Sequence, residues 1–314
     1  MTDENHGLAS VIGPSALSSG HVLVTGADGT IGREVVKALN AHGTEVVAFS
    51  RSFTSPTGAK MDVEGDTRSE TDVVEVLKGA VAVVHLAALP HWEAGSPYEV
   101  YTTNVVSTFN VLTHAAEAGI ARAVIASSIH ASGIPGNRHP GVQMVYPIDE
   151  RVPVHHDDWY SLSKYSDECT AAMVASRWGM TIAALRFPLV HNHSVLARTA
   201  REWATNPVDG AKLGWSYLDV RDAAIAVLAA IDAEIEGAQV FQLAAPTTLL
   251  STPTEKLLDI YAAEAHRRTI FEGCAAPVDI SRARHMLGFE PRYLFDSSSE
   301  IEDATNCREE KIAL

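Results

Sequence analysis

Cysteine is scarce in this chain of 314 residues, with three in all, Cys169, Cys274 and Cys307. The set is odd in number, scattered and without metal-ligand spacing, which excludes a disulfide-framed secreted module and suits a reducing compartment. Long apolar runs are missing as well, none approaching the roughly 20 residues that a membrane helix needs. Residues 1–20 have neither a basic start nor a long apolar segment, so no signal peptide is read there. Basic residues are in deficit, 24 Lys and Arg against 39 Asp and Glu, a formal net charge of −15. Nucleic acid and anionic membranes are therefore not expected as partners, and the expected location is the cytoplasm. The pairs His155-His156 and His191-x-His193 have no Cys or carboxylate cluster to complete a metal site, and no metal is expected.

What the chain does have is 46% hydrophobic residues, enough for one large α/β domain or two smaller ones. Strand-like runs at 21–25, 45–49, 60–62, 81–86, 123–127 and 181–187 alternate with helical patterns at 31–41, 70–77, 97–118 and 159–178. Such alternation predicts a parallel sheet covered by helices on both faces, with ligands at the carboxyl ends of the strands. Beyond residue 187 the pattern loosens into short strands at 215–218 and 240–243 and helices at 221–233, 253–263 and 281–287. The expected organisation is a polar tail at 1–19, a main domain at 20–187, a smaller substrate lobe at 188–296 that partly returns to the main sheet, and a polar tail at 297–314.

Two motifs carry chemistry. Thr25-Gly26-Ala27-Asp28-Gly29-Thr30-Ile31-Gly32 directly follows the first strand and opens the first helix. Three glycines there let the backbone approach a pyrophosphate, while the helix N-terminus offers free N–H groups and a favourable dipole. The spacing is Gly-x-x-Gly-x-x-Gly rather than Gly-x-Gly-x-x-Gly, but the strand–turn–helix setting makes 20–187 a dinucleotide-binding domain with a Rossmann-type doubly wound parallel sheet. The second motif is Tyr160-Ser161-Leu162-Ser163-Lys164, with Ser127-Ser128 upstream. Residues four apart share a helix face, so the Tyr160 phenol and the Lys164 ammonium can address one bound molecule. A free tyrosine titrates near pH ~10 and is a poor base at neutrality, whereas a nearby cation favours the phenolate.

Over roughly residues 20–295 the chain resembles the extended short-chain dehydrogenase/reductase family, the NAD-dependent epimerase/dehydratase type. Besides the two motifs, the matches are His85-Leu86-Ala87-Ala88, Asn104-Val105, Asn110-Val111-Leu112, Leu185-Arg186-Phe187, Asp219-Val220-Arg221-Asp222 and Leu287-Gly288-Phe289-Glu290-Pro291. The resemblance implies Tyr160 as acid/base and Ser128 as the donor to the reacting oxygen, with Ser127 structural. It implies that Lys164 holds the nicotinamide ribose and lowers the tyrosine pKa. Asn104 stands where the family has an Asn that supports the active-site helix and its water; a helix-capping or surface amide is its other reading. Leu86, Ala87 and Ala88 are implied beside the diphosphate and ribose, and Asp62-Val63 beside adenine, with a solvated strand-end aspartate as the alternative. Gly26, Asp28, Gly29, Thr30, Ile31, Gly32 and Phe187 complete the implied cofactor set, to which Asn104, Tyr160 and Lys164 also belong. A homodimer is implied through helices 97–118 and 159–178, with Ala171, Ala172, Val174 and Ala175 as small apolar surface.

Two departures refine the expectation. The second strand ends Phe49-Ser50-Arg51, without the acid that binds both adenosine ribose hydroxyls. Arg51 can pair with a 2′-phosphate, so NADP is the expected cofactor and NAD the alternative. Nucleotide-sugar members follow Leu-Arg with an Asn-Val-Tyr-Gly-Pro type run, whereas this chain reads Phe187-Pro188-Leu189-Val190-His191 and puts Leu189 at the Asn position. The expected function is an NAD(P)-dependent oxidoreductase moving hydride between nicotinamide and a secondary alcohol or ketone of a small or medium-sized metabolite. An NDP-sugar epimerase or dehydratase with tightly bound NAD is the alternative. Ser128, His130, Arg186, Trp215 and Tyr217 are the substrate-contact candidates, Arg186 having a structural anchor of the last strand as its other reading, and the segment 130–158 is expected to line the substrate mouth.

Overall fold

The computed structural model describes residues 20–133 and 145–296. The tails expected at 1–19 and 297–314, and Arg138 and His139 of the loop expected at the substrate mouth, lie outside the described residues. The chain runs through β1 (His21–Thr25), α1 (Thr30–Ala41), β2 (Val46–Ser50), β3 (Met61–Glu64), α2 (Glu70–Val76), β4 (Ala80–His85), α3 (Pro97–Glu117) and β5 (Arg122–Ser128). It continues with β6 (Val145–Tyr146), α4 (Trp159–Trp178), β7 (Thr181–Phe187), β8 (Leu189–His191), α5 (His193–Thr205), α6 (Val208–Ala211) and β9 (Tyr217–Asp219). The last elements are α7 (Val220–Asp232), β10 (Ala238–Gln242), α8 (Thr254–Tyr261), β11 (His266–Arg267) and α9 (Ser281–Leu287).

Seven strands form one parallel Rossmann-type sheet in the order β3-β2-β1-β4-β5-β7-β10. The strand order reverses between β1 and β4, and at such a switch point the loops leave in opposite directions and open a crevice. The central strands are continuous apolar runs because helices cover both faces. Val22, Leu23 and Val24 of β1 are wholly buried, alternately against one face and the other. One face packs under α1 and α7, the other under α2, α3 and α4. The apolar side chains of the C-terminal part, among them Trp215, Leu249 and Phe289, are continuous with the α1/α7 side of the core. β10 extends the sheet beside β7, while β8 and β9 pair in a small parallel sheet of their own.

The helix ends follow from local chemistry. Ser96 and Glu99 form a reciprocal capping box at the start of α3, with Pro97 in the first turn. Asp158 caps α4 by accepting from Ser161 N at 2.8 Å, and Gly179 ends it in the left-handed region at φ 71°. Asp219 caps α7 and Asp222 accepts from the Arg292 and Tyr293 amides, so the Asp219–Asp222 motif fastens the C-terminal segment. The strand expected at 215–218 begins two residues later, because Trp215 sits at φ 53° after the turn at Gly214. α3 and α4 pack side by side, and three of the alanine-rich positions expected on the surface turn out inward. Ala171, Val174 and Ala175 are buried; the outer face of α4 is Leu162, Tyr165, Cys169, Ala172 and Met173. Among the described residues, no helix is long and apolar enough to cross a membrane.

Candidate active site

The glycine turn lies at the switch point. Gly26 takes φ 66°, and a Cβ there would stand 2.6 Å from Ala87 N, so the β1 and β4 loops touch backbone to backbone. At Gly32 a Cβ would stand 2.3 Å from Gly26 O, which is why the helix can start so close under the turn. α1 begins at Thr30 and Ile31 after Gly29, with no side chain capping its first N–H groups. These loops bound a cleft of about 300 Å³, lined by Gly26, Asp28 and Gly29, by Ser50, Arg51 and Ser52 after β2, and by Leu86, Ala87 and Ala88 after β4. Glycine backbone and a free helix N-terminus suit a pyrophosphate, and the donor set after β2 suits an adenosine ribose or its phosphate. The Asp28 carboxylate is engaged by Arg33 and Thr54, which ties the segment after β2 over the turn.

Beyond the cleft, at the carboxyl end of β5, Ser128, Tyr160 and Lys164 come together. Ser128 Oγ accepts from His130 N at 3.1 Å, and the Ser128 hydroxyl faces the Tyr160 phenol. Lys164 Nζ donates to Ala126 O at 2.9 Å and to Asp167 Oδ2 at 3.2 Å. Lys164 pulls the tyrosine down, as expected, but burial is the larger effect and pushes Tyr160 above the ordinary phenol value, against Lys164 and the Ser128 hydroxyl. His130 stacks edge-on to Tyr160, ring centroids 5.5 Å apart, and against Trp92 at 5.7 Å. Burial, helped by the Lys212 charge, brings His130 down to about 4, so its imidazole is neutral near pH 7.

Asn104 is completely buried, and its amide is used by its neighbours. Its Oδ1 accepts from Leu89 N at 2.8 Å, and its Nδ2 donates to Leu89 O at 3.1 Å and Ser163 Oγ at 3.0 Å. It therefore stitches the loop after β4 to α4 and positions the Tyr160 helix. Ser127, expected to be structural, donates to Glu168 Oε1 at 2.6 Å.

The sequence profile of the NAD dependent epimerase/dehydratase family matches residues 22–244, more than half of the chain. The chain belongs to that family. Sterol demethylase protein B of Methylococcus capsulatus is 29% identical over 229 residues, covering 68% of this chain and 67% of that protein. L-arabinose 1-dehydrogenase (NAD(P)(+)) of Haloferax volcanii is 31% identical over 173 residues, 52% of this chain and 65% of that protein. dTDP-6-deoxy-L-talose 4-dehydrogenase (NAD(+)) of Aggregatibacter actinomycetemcomitans is 31% identical over 152 residues, and the match spans about half of its length, 51%. Among solved structures, a short-chain dehydrogenase/reductase superfamily protein from Agrobacterium tumefaciens with bound NAD superposes with a TM-score of 0.65 at 22% identity, over 93% of this chain and 98% of that one. MoeE5 in complex with UDP-glucuronic acid and NAD gives 0.65 at 24% identity, over 88% and 95%. At these identities the superpositions speak for the fold.

Within this family frame several expected contacts move. Arg186 is an anchor rather than a substrate contact, its guanidinium donating to both Glu168 oxygens at 2.8 Å in the core. Trp215 is wholly buried with its indole donating to Pro207 O at 2.7 Å, and Tyr217 accepts from Phe295 N at 2.7 Å, so both belong to the core of the C-terminal part. Asp62 does not line the cleft, because it is exposed and bonds the Thr57 amide at 3.0 Å; Val63 packs against the α2–α4 side of the core. The acid that reaches the cleft from the end of β3 is Asp66, next to Thr67, four residues further on. The chain runs straight on past the end of β3 through Gly65, where a Cβ would strike the Phe49 ring at 2.6 Å. That Gly-Asp-Thr, following a strand edge, was a readable signal. Phe187 ends β7 in register with Ser128 and is buried beside it. The sequence motif His85-Leu86-Ala87-Ala88 includes His85 without giving it a role, and Trp92 and Asp167 stand in no motif; an aspartate next to Glu168 leaves no pattern that separates it from an ordinary helix residue. Among the described residues, no three or more His, Cys, Asp or Glu side chains gather as a metal site.

Proposed function

We propose that this chain is an oxidoreductase that uses NADP(H), with NAD(H) as the weaker cofactor, on a secondary alcohol or ketone of a small or medium-sized metabolite. The observation that carries the reading is the buried Tyr160 with Ser128 and Lys164 beside it, one strand away from the glycine-lined cleft. A nicotinamide dinucleotide held in that cleft supplies the hydride chemistry. The chain's own residues hold and move the proton. Tyr160 gives or takes the proton of the substrate oxygen, Ser128 hydrogen-bonds the same oxygen, and the Lys164 charge favours the phenolate. Gly26, Gly29, Thr30, Ile31 and Gly32 receive the diphosphate through backbone groups, and Leu86 to Ala88 flank it.

The NADP preference rests on Arg51, exposed at the rim of the cleft, and on Ser50 and Ser52, with no carboxylate among the three. Fluorescence titration of both reduced cofactors tests it. NADPH binds more tightly than NADH, and Arg51→Ala removes a charge-assisted contact of about 1.5–3 kcal/mol, narrowing the gap. Equal or tighter NADH binding by the unmodified chain overturns the assignment. His130 and Trp92, which face Tyr160, are the substrate-side candidates that the geometry supports. A homodimer through α3 and α4 belongs to the same proposal, supported by Tyr98, Val106 and Phe109 on the exposed face of α3 and Leu162, Tyr165 and Met173 on that of α4.

A further inference from the structure

Asp167 lies one turn after Lys164 on α4 and is 1% exposed. Its Oδ2 takes the Lys164 ammonium at 3.2 Å, while its Oδ1 is buried without a hydrogen-bond partner. Lys164 is 4% exposed, and its other bond goes to the Ala126 carbonyl. The cation that favours the Tyr160 phenolate thus has a carboxylate packed against it, and the proposed reaction makes no use of that carboxylate. We propose that Asp167 is the counter-ion of Lys164 and, through that lysine, sets the pH range over which Tyr160 exchanges its proton. The proposal rests on the reading of Tyr160 as the acid/base.

The surrounding groups leave this task to Asp167. On α4, Glu168 is tied up by Arg186 of β7 and Ser127 of β5. From α3, the Thr108 hydroxyl faces both Asp167 and the His85 ring of β4, which it meets at 3.2 Å. Burial keeps that imidazole neutral, bringing it down to about 3, so β4 contributes no charge. From β5 come the Ser127 and Ser128 hydroxyls and the Ala126 carbonyl, all neutral. At the start of α4, Asp158 also opposes the phenolate, but it caps the helix and does not hold the lysine. Lys164 stabilises the phenolate and Asp167 works against it. Burial pushes the Asp167 carboxyl up to about 6, against the pull of Lys164 and Thr108, so its charge changes close to neutrality. Replacing it by a neutral side chain leaves the lysine's field on Tyr160 unopposed. Asp167 touches neither substrate nor cleft in this scheme and is a positioning residue.

The test is a titration of the full chain carrying carbon-13 at the tyrosine Cζ, with the Tyr160 signal assigned by Tyr160→Phe. In Asp167→Asn and in the smaller Asp167→Ser, the Tyr160 midpoint falls by on the order of one pH unit, about tenfold more phenolate at a fixed pH. Asp167→Glu keeps the charge and stays near the wild-type midpoint. An unchanged or raised midpoint in the neutral variants overturns the proposal. If neither neutral variant folds, the wild type decides: its Tyr160 signal carries an inflection where the Asp167 carboxyl titrates, near pH 6, and its absence overturns the proposal. No turnover is needed, so a chain that acts on no alcohol or carbonyl would remove the functional reading while leaving this titration readable.

Discussion

At the scale of single residues, the site depends on which groups are kept charged. Tyr160→Phe keeps the ring in its packing against His130 and removes the hydroxyl that donates the proton, so the turnover rate falls by about 10²–10⁴ with the fold intact. Near-normal turnover in a folded variant would put the chemistry elsewhere. His85 gives a second residue-level test. It bonds Thr25 Oγ1 at 2.7 Å and Thr108 Oγ1 at 3.2 Å, and its folded value of about 3 lies below the ordinary 6.5. Its contribution to stability is therefore complete above pH 6.5 and is lost on acidification, at up to about 1.4 kcal/mol per unit. Asp167, raised from 3.8 to about 6, has the opposite sign and adds stability as pH falls from 6 towards 4. Urea midpoints at pH 7 and pH 5 check this balance: His85→Gln loses less stability between them than the wild type. Equal losses would mean that the imidazole is not buried neutral.

At the scale of elements, a buried ion pair and the Lys164 bond to the Ala126 carbonyl hold α4 to the sheet, and an amide holds it to α3. Glu168 meets Arg186 of β7 and Ser127 of β5, and Asn104 of α3 meets Ser163. Breaking a buried pair leaves a charge without its partner, so Glu168→Gln costs about 3–5 kcal/mol in urea unfolding. A loss below about 1 kcal/mol would show that Arg186 finds another partner or water, as for a surface pair. This helix also shows what a sequence can and cannot reveal. Its span, its Tyr-x-x-x-Lys face and the Leu-Arg-Phe strand beside it are local patterns, and they read correctly from period and spacing. Which of its faces is outermost depends on the packing of α3 and the sheet, and so Ala171, Val174 and Ala175 were misplaced. For Arg186 two readings stayed open, a ligand contact and a strand anchor, and only the acid that neutralises it at 2.8 Å decides for the anchor. Asp62 lies within β3 and Asp66 two residues past its end, and the Gly65-Asp66-Thr67 turn is the local pattern that separates them.

At the scale of the whole molecule, the parallel sheet puts both motifs at one edge, the glycine turn after β1 and Ser128 at the end of β5. The exposed apolar faces of α3 and α4, with Tyr98 76% and Phe109 51% accessible, are expected to meet a second copy. Light scattering at micromolar protein then gives a dimer that Phe109→Glu weakens; a wild-type monomer would rule the interface out. Net redox turnover is the most direct test of the function. Purified protein is mixed with NADPH or NADP and panels of carbonyls and secondary alcohols, and the nicotinamide absorbance is followed. The expected result is a protein that purifies largely free of dinucleotide and a substrate-dependent absorbance change that Tyr160→Phe abolishes. Stoichiometric bound NAD, with inversion of a nucleotide sugar and no net absorbance change, would contradict it.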